Sequence, residues 1–357
     1  MINNFKTYIY FFVFLIVLVS CTEQKLNKKS FKSFLENIDM SKRQIDNFSI
    51  PGCLDPSYLN IYDTLIIITQ NKLENGIFSF YGIKSKKLVA SFGRQGKALN
   101  EFVQPAYTEV DKKNGLFWFI DYPTTTFYAY SISEILKDSR KVKPIIKIKF
   151  DHTYMPIFNY HILDDTSIMI PSSNKNSLCT IINTKGEIVK THGSQPMFDS
   201  EDLPKQAYND LHARLIKTDI EKGEIVFAYH YYDKLLKYNY SLDKYWIVTG
   251  PDHIKQDGEA LENGLLYRPI TIKKGYFYSF KKANGKLYAL YNGKPQFNKD
   301  YTANYPNIIN VFDWDLNPLE KLEFDKSIIA FDIDENSNTL YAITGSSINN
   351  FLSYSLK

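Results

Sequence analysis

The 357-residue sequence is poor in cysteine, holding three, and one of these, Cys21, closes an apolar leader. The remaining two, Cys53 and Cys179, can form at most one bridge in a disulfide-permissive compartment. Two buried free thiols are the more ordinary reading of such a pair. Charge of one sign is missing as well: 43 Lys and Arg against 39 Asp and Glu leave a formal charge of +4. No dense basic face argues for nucleic acid, which is disfavoured as a partner. The six histidines (His152, His161, His192, His212, His230 and His253) show no His-Glu-x-x-His spacing or other zinc pattern. There is no Gly-x-Ser-x-Gly elbow and no Gly-x-x-x-x-Gly-Lys-Ser/Thr phosphate loop. Gly93-Arg94-Gln95-Gly96 joins two strand-like runs and lacks the following Lys-Ser/Thr. Asp332-Ile333-Asp334-Glu335-Asn336 lacks the Gly and terminal Glu of a calcium loop and reads as a solvated turn. No catalytic residue, metal ligand or cofactor is assigned from the sequence.

No apolar run is long enough for a comfortable bilayer span. The longest, residues 8–20 behind Lys6, has thirteen residues, the length of a signal-peptide core. It ends Leu18-Val19-Ser20-Cys21, which resembles the lipobox of bacterial lipoproteins. The resemblance implies that Cys21 takes a diacylglycerol and becomes the mature N-terminus. Thr22, where an Asp would signal retention, points by the same similarity to the outer membrane. An uncleaved anchor or an ordinary cleaved signal are the alternatives. The expected organisation is a signal peptide over 1–20, a lipidated polar tether over 21–43, and a folded domain over 44–357.

What is abundant is aromatic residues: 27 Tyr and 25 Phe, 15% of the chain together with Trp. Such side chains favour pleated, half-buried surfaces. Strand-like runs follow turn residues at Thr64–Thr69, Leu116–Asp121, Ser167–Pro171, Glu224–His230, Lys286–Tyr291 and Thr339–Thr344. Their starts are about 51 to 62 residues apart, the repeat of a four-stranded propeller blade. Each of the first five is followed by two more strand candidates. The sixth unit has Phe351–Leu356 and then the chain ends, one strand short. Residues Ile45–Pro51 are the natural donor of the missing strand, which would close the ring and remove two sheet edges. The expectation is an all-β, six-bladed β-propeller closed by an N-terminal strand.

The segment Gly93–Pro105 resembles the Gly-x-x-Gly…Glu-Phe-x-x-Pro linker of NHL-type propellers. Together with the lipobox and the segments Val311-Phe312-Asp313-Trp314 and Leu340-Tyr341-Ala342, the chain resembles the TolB-like six-bladed β-propeller lipoproteins. The resemblance implies the fold over about residues 45–357 and no assigned activity.

In a four-stranded blade, connections from the fourth strand to the next blade and from the second strand to the third share one rim. The long connections 194–209, 250–266 and 292–307 all fall there, and function concentrates in such loops. Residues at that rim are the candidate ligand contacts: Arg94, Asp121, Tyr122, His212, Arg214, His230, Tyr231, Tyr232 and Arg268. Aromatic rings mixed with arginine suit a protein, a peptide or a glycan. The expectation is a membrane-anchored binding or scaffolding module. The alternative is a metal-assisted hydrolase or lyase, with His212 and His230 converging near Asp210 or Asp121 in the funnel.

Overall fold

A computed structural model describes residues 27–50, 53–72, 76–150, 159–172, 176–196, 211–252, 259–260, 266–267, 274–300, 302–345 and 350–357. Cys21, Asp210 and Arg268 lie outside the described residues.

The chain forms six antiparallel sheets arranged as the blades of a propeller. From the axis outward, blade one comprises Leu54–Tyr62, Leu65–Lys72, Phe78–Gly82 and Leu88–Phe92. Blade two comprises Pro105–Asp111, Leu116–Asp121, Thr126–Ser131 and Ile146–Lys149; blade three His161–Ile162, Ser167–Pro171, Cys179–Asn183 and Ile188–His192. Blade four comprises Arg214–Asp219, Glu224–Tyr229, Lys234–Asn239 and Lys244–Thr249; blade five Lys274–Ala283, Lys286–Pro295, Ile308–Phe312 and Pro318–Glu323. Blade six takes Ile328–Asp334, Thr339–Thr344 and Asn350–Ser355 from the C-terminus and Gln44–Ser49 from the N-terminus. Strand donation from the N-terminus therefore closes the ring, as the missing sixth-unit strand predicts.

The second strands carry continuous apolar runs because a neighbouring blade covers each of their faces. Leu116–Asp121 and Thr339–Thr344 are buried at every position. Six hydrophobic clusters fill the six seams. One joins blades one and two through Phe78, Phe102, Phe117 and Phe119. Another joins blades six and one through Ile61, Ile68, Tyr341 and Ile343. Each fully buried large side chain contributes roughly 1.5–3 kcal/mol. The fourth strands of blades one and three, by contrast, face solvent: Val89 is 53% exposed and Val189 56%.

Two features depart from the sequence expectation. The described part of the segment expected to be a tether, from residue 27 on, is folded onto the ring. Asn27–Ser30 adds a fifth, parallel strand to blade four, with Asn27 opposite Trp246 and Ser30 opposite Thr249. Glu36–Asp39 does the same on blade five, opposite 320–323. Between them Phe31 and Phe34 pack edge-on against each other (centroids 5.1 Å apart) and against Phe312 (both 5.6 Å), and Met40 beyond them is fully buried. Unsatisfied backbone at a sheet edge accepts any extended segment, whatever its side chains, so polar composition did not prevent docking. The second departure is a short helix, α1 (Ile132–Asp138), inside blade two; Ser131 caps it by accepting from the Glu134 amide. Among the described residues no helix is long and apolar enough to cross a membrane. Cys53 and Cys179 are both buried free thiols, one on the blade-one side of its seam and the other in blade three.

Candidate functional site

Side chains alternate along a strand, so residues two apart on each innermost strand face the axis together. The outer tier of this arrangement takes one polar residue from each blade: Asn60, Glu109, His161, Lys217, Lys281 and Asp332. These line a cavity of about 460 Å³ that opens between the turns joining first and second strands. Two residues earlier on the same chains lie Tyr58, Tyr107, Asn159, Leu215, Ser279 and Ala330, around a smaller chamber of about 130 Å³ deeper on the axis. Glu109, Lys217 and Lys281 line both, so the polar tier is a partition between a hydrophilic vestibule and a tyrosine-lined chamber.

The partition is held by charge pairing between blades. Glu109 Oε1 lies 3.0 Å from His161 Nδ1 and 3.1 Å from Lys217 Nζ, which reaches it across blade three. Burial alone would raise the Glu109 carboxyl, but the Lys217 and His161 charges outweigh it and hold the group at about 2. On the far side Lys281 Nζ sits 3.4 Å from Asp332 Oδ1 and donates to the Leu59 carbonyl at 3.3 Å. Burial lowers the Lys281 ammonium below its ordinary range, and Asp332 only partly offsets this. Asp332 Oδ2 accepts from the Ile61 amide (2.8 Å), and Asn60 Nδ2 donates to Thr108 Oγ1 (2.7 Å). Wider out, Lys112 and Glu335 face each other at 3.8 Å across the vestibule. Groups of both charges stand around the wall, an environment for a polar ligand rather than an apolar one.

The deeper chamber is aromatic. Tyr58 and Tyr107 meet edge-on at 5.9 Å. Burial, together with the nearby phenols of Tyr58, Tyr122 and Tyr231, pushes the Tyr107 hydroxyl well above its ordinary range. Tyr278, a further wall residue, packs against the His230 ring at 4.8 Å.

The candidates read from the sequence divide accordingly. The phenols of Tyr122 and Tyr231 lie near Tyr107 of the chamber wall without lining the chamber themselves, and His230 packs behind Tyr278, donating from Nδ1 to the Phe277 carbonyl at 2.7 Å. Arg94 is exposed on the perimeter, near α1, in a cleft it shares with Arg140. Asp121 ties a loop together, accepting from the amides of Val103 and Gln104 and from Thr124 Oγ1. Arg214 is a buried clamp between blades three and four: its guanidinium donates to the carbonyls of Ser172, Leu178 and His212 and to Gln195 Oε1. Its plane lies over Phe227, 5.1 Å from the centroid. Tyr232 and His212 pack on each other within the seam of blades three and four. His212 and His230 therefore occupy separate environments and do not share a site. Among the described residues no three His, Cys, Asp or Glu side chains converge as metal ligands.

The described cavity thus opens on the rim opposite to the one expected from loop length. Much of 194–209 and 250–266 lies outside the described residues. Sequence reasoning missed the six-residue partition altogether. Its signal was a polar residue five to seven positions ahead of each second strand.

The profile of the TolB-like 6-blade propeller-like family matches residues 55–336. A solved structure of a Bacteroides fragilis NCTC 9343 protein, described as exported, superposes with a TM-score of 0.58 at 10% identity, covering 92% of this chain and 99% of that one. A member of the DUF4221 family from Bacteroides vulgatus superposes with a TM-score of 0.55 at 8% identity, covering 88% and 97%. At such identities the likeness is one of fold. The search of curated proteins found no match.

Proposed function

Because the chain belongs to the TolB-like six-bladed propeller family, we propose that it is an envelope lipoprotein whose ring is a binding module, with the axial vestibule as its ligand site. The observation that carries this reading is the paired polar tier, which lines a cavity of about 460 Å³ with groups from all six blades. A cavity of that size suits a peptide end or one or two sugar rings. Tyrosines in the chamber beneath offer faces for stacking. The envelope address rests on the leader ending in Cys21 and on the exported description of the B. fragilis protein of the same fold. Outer-membrane sorting rests on Thr22.

The test is an affinity comparison with the full chain. Peptides and glycans released from the organism's own envelope are captured on wild-type protein and on the K281M and D332N variants, each first shown to be folded by its thermal transition. Ligands retained by wild type and lost by both variants support the axial site. Equal retention by all three overturns it. In parallel, Cys21→Ala is expected to move the protein from the membrane to the soluble fraction, and its retention with membranes overturns lipid anchoring.

A further inference from the structure

The docked N-terminal segment has a geometric consequence for how the ring meets a membrane. A free leash from Cys21 to Gln44 would extend about 75 Å, enough for the ring to tumble. Docking on blades four and five removes most of that length. Among the described residues the first paired one is Asn27, six residues after Cys21, and six residues reach about 20 Å at most. Register then fixes which side the anchor leaves from. The segment runs parallel to the outer strand of blade four, with Asn27 opposite Trp246, near that strand's start. That start follows the turn between third and fourth strands, on the same rim as the vestibule mouth. Asp315, on the equivalent turn of blade five, is held below the ordinary carboxylate range chiefly by its hydrogen bond to Lys237, with a small contribution from the Lys29 charge.

The turns of blade four at this rim are unlike those of blade three. Blade three presents Asp164-Asp165-Thr166 and Thr184-Lys185-Gly186. Blade four presents Ile220, 50% exposed, and Leu242, 60% exposed, one on each of its two hairpin tips. Around them stand the exposed Lys222 and Lys244, balanced by the exposed Glu221 and Asp243, and the half-exposed Tyr240. A single exposed aliphatic residue carries no information. Here the two apolar tips of one blade touch, Tyr240 donating its hydroxyl to the Ile220 carbonyl at 3.3 Å, and the Leu242 tip leads into the outer strand that pairs with the segment coming from the anchor. Aliphatic tips with lysine and tyrosine around them are the composition that settles at a lipid headgroup boundary.

We propose that the hairpin tips of blade four, residues 220–223 and 240–244, rest on the bilayer that holds the Cys21 lipid, so that the vestibule mouth faces the membrane. This rests on the lipid-anchor reading above. The vestibule then takes ligands presented at the membrane surface, and the opposite rim faces away from it.

The experiment uses the full-length lipidated protein in liposomes of phosphatidylethanolamine and phosphatidylglycerol. An environment-sensitive fluorophore is attached at Ser241→Cys, on the blade-four tip, or at Lys299→Cys, exposed on the opposite rim. The two native thiols are buried and do not compete. Nitroxide-headgroup lipids are expected to quench the label at 241 and leave the label at 299 unchanged. Adding I220E and L242E, at positions exposed enough not to disturb folding, is expected to remove the quenching at 241 while the protein stays anchored. Equal quenching at the two positions of an anchored protein, or quenching at 299 alone, overturns the orientation and leaves the anchor reading standing. A chain that does not partition with liposomes overturns both.

Discussion

Arg214 shows how a residue can look like a binding group in the sequence and be structural in the fold. Its guanidinium is 1% exposed and feeds four acceptors on two blades, so no face of it is left for a ligand. Arg214→Met is expected to strand those acceptors and destabilise the protein by about 2–4 kcal/mol, measured by urea denaturation. The acid groups make opposite predictions. Glu109, held at about 2 by Lys217 and His161 despite burial, contributes stability that is fully present above about pH 4.5 and lost as pH falls toward 2. Burial raises Asp233 from 3.8 to about 6, helped by the Asp252 charge, although the Asp252 amide donates to it. Its contribution is present below about pH 4 and lost as pH rises through 6. Asp233→Asn keeps an acceptor oxygen for that amide, so the variant is expected to melt higher than wild type above pH 6, by up to about 3 kcal/mol, and similarly near pH 4. Thermal melts from pH 3 to pH 8 check both slopes. The residues of the axial partition escaped sequence reading because Glu109, Lys217 and Asp332 are each followed two residues on by a partly exposed carboxylate (Asp111, Asp219, Asp334), so they read as part of an ordinary solvated strand end. Only the closure of the ring places them side by side.

At the scale of elements, the second strands were the most legible, since burial on both faces leaves an uninterrupted apolar run such as Leu116–Asp121. Innermost strands were least legible. They alternate core and axis, and bulges interrupt them between Ala106 and Glu109 and between Gly275 and Phe277. The helix α1 had a readable start in Ser131-Ile132-Ser133-Glu134, a capping pattern. The two parallel edge strands had none, because Asn-Lys-Lys-Ser and Glu-Asn-Ile-Asp pair through their backbone. Phe31 and Phe34 supply apolar contact to blades four and five, and Ile38 enters the seam of blades five and six. Deleting residues 22–39 is therefore expected to lower the melting temperature, and Phe34→Ala alone to cost about 2 kcal/mol, less than a fully buried ring would. A truncation with an unchanged melting temperature would show that the docked segment adds no stability.

For the whole molecule, the ring's continuity depends on blade six, where the two chain ends meet. Gln44 pairs with Tyr354 and Ser49 with Asn350. Removing residues 350–357 takes away the third strand of that blade and leaves Gln44–Ser49 with no partner. Loss of one strand is then expected to abolish the single cooperative thermal transition instead of shortening it. Cys53 and Cys179, whose thiols burial pushes up to about 12, report the same event from inside. They are expected to resist a thiol reagent in the native state and to react together on unfolding. A fast reaction of either one in the intact protein would reveal local opening of its seam.

Because each wall position of the vestibule sits on its own sheet, and the seams are packed by other residues, the wall is composed like a six-letter word with one letter per sheet. A change of one letter, such as histidine to arginine at 161, rewrites part of the word and leaves the oily joints between sheets alone. Relatives that share this scaffold at 8–10% identity can on that account keep the frame while spelling different chemistries at its centre.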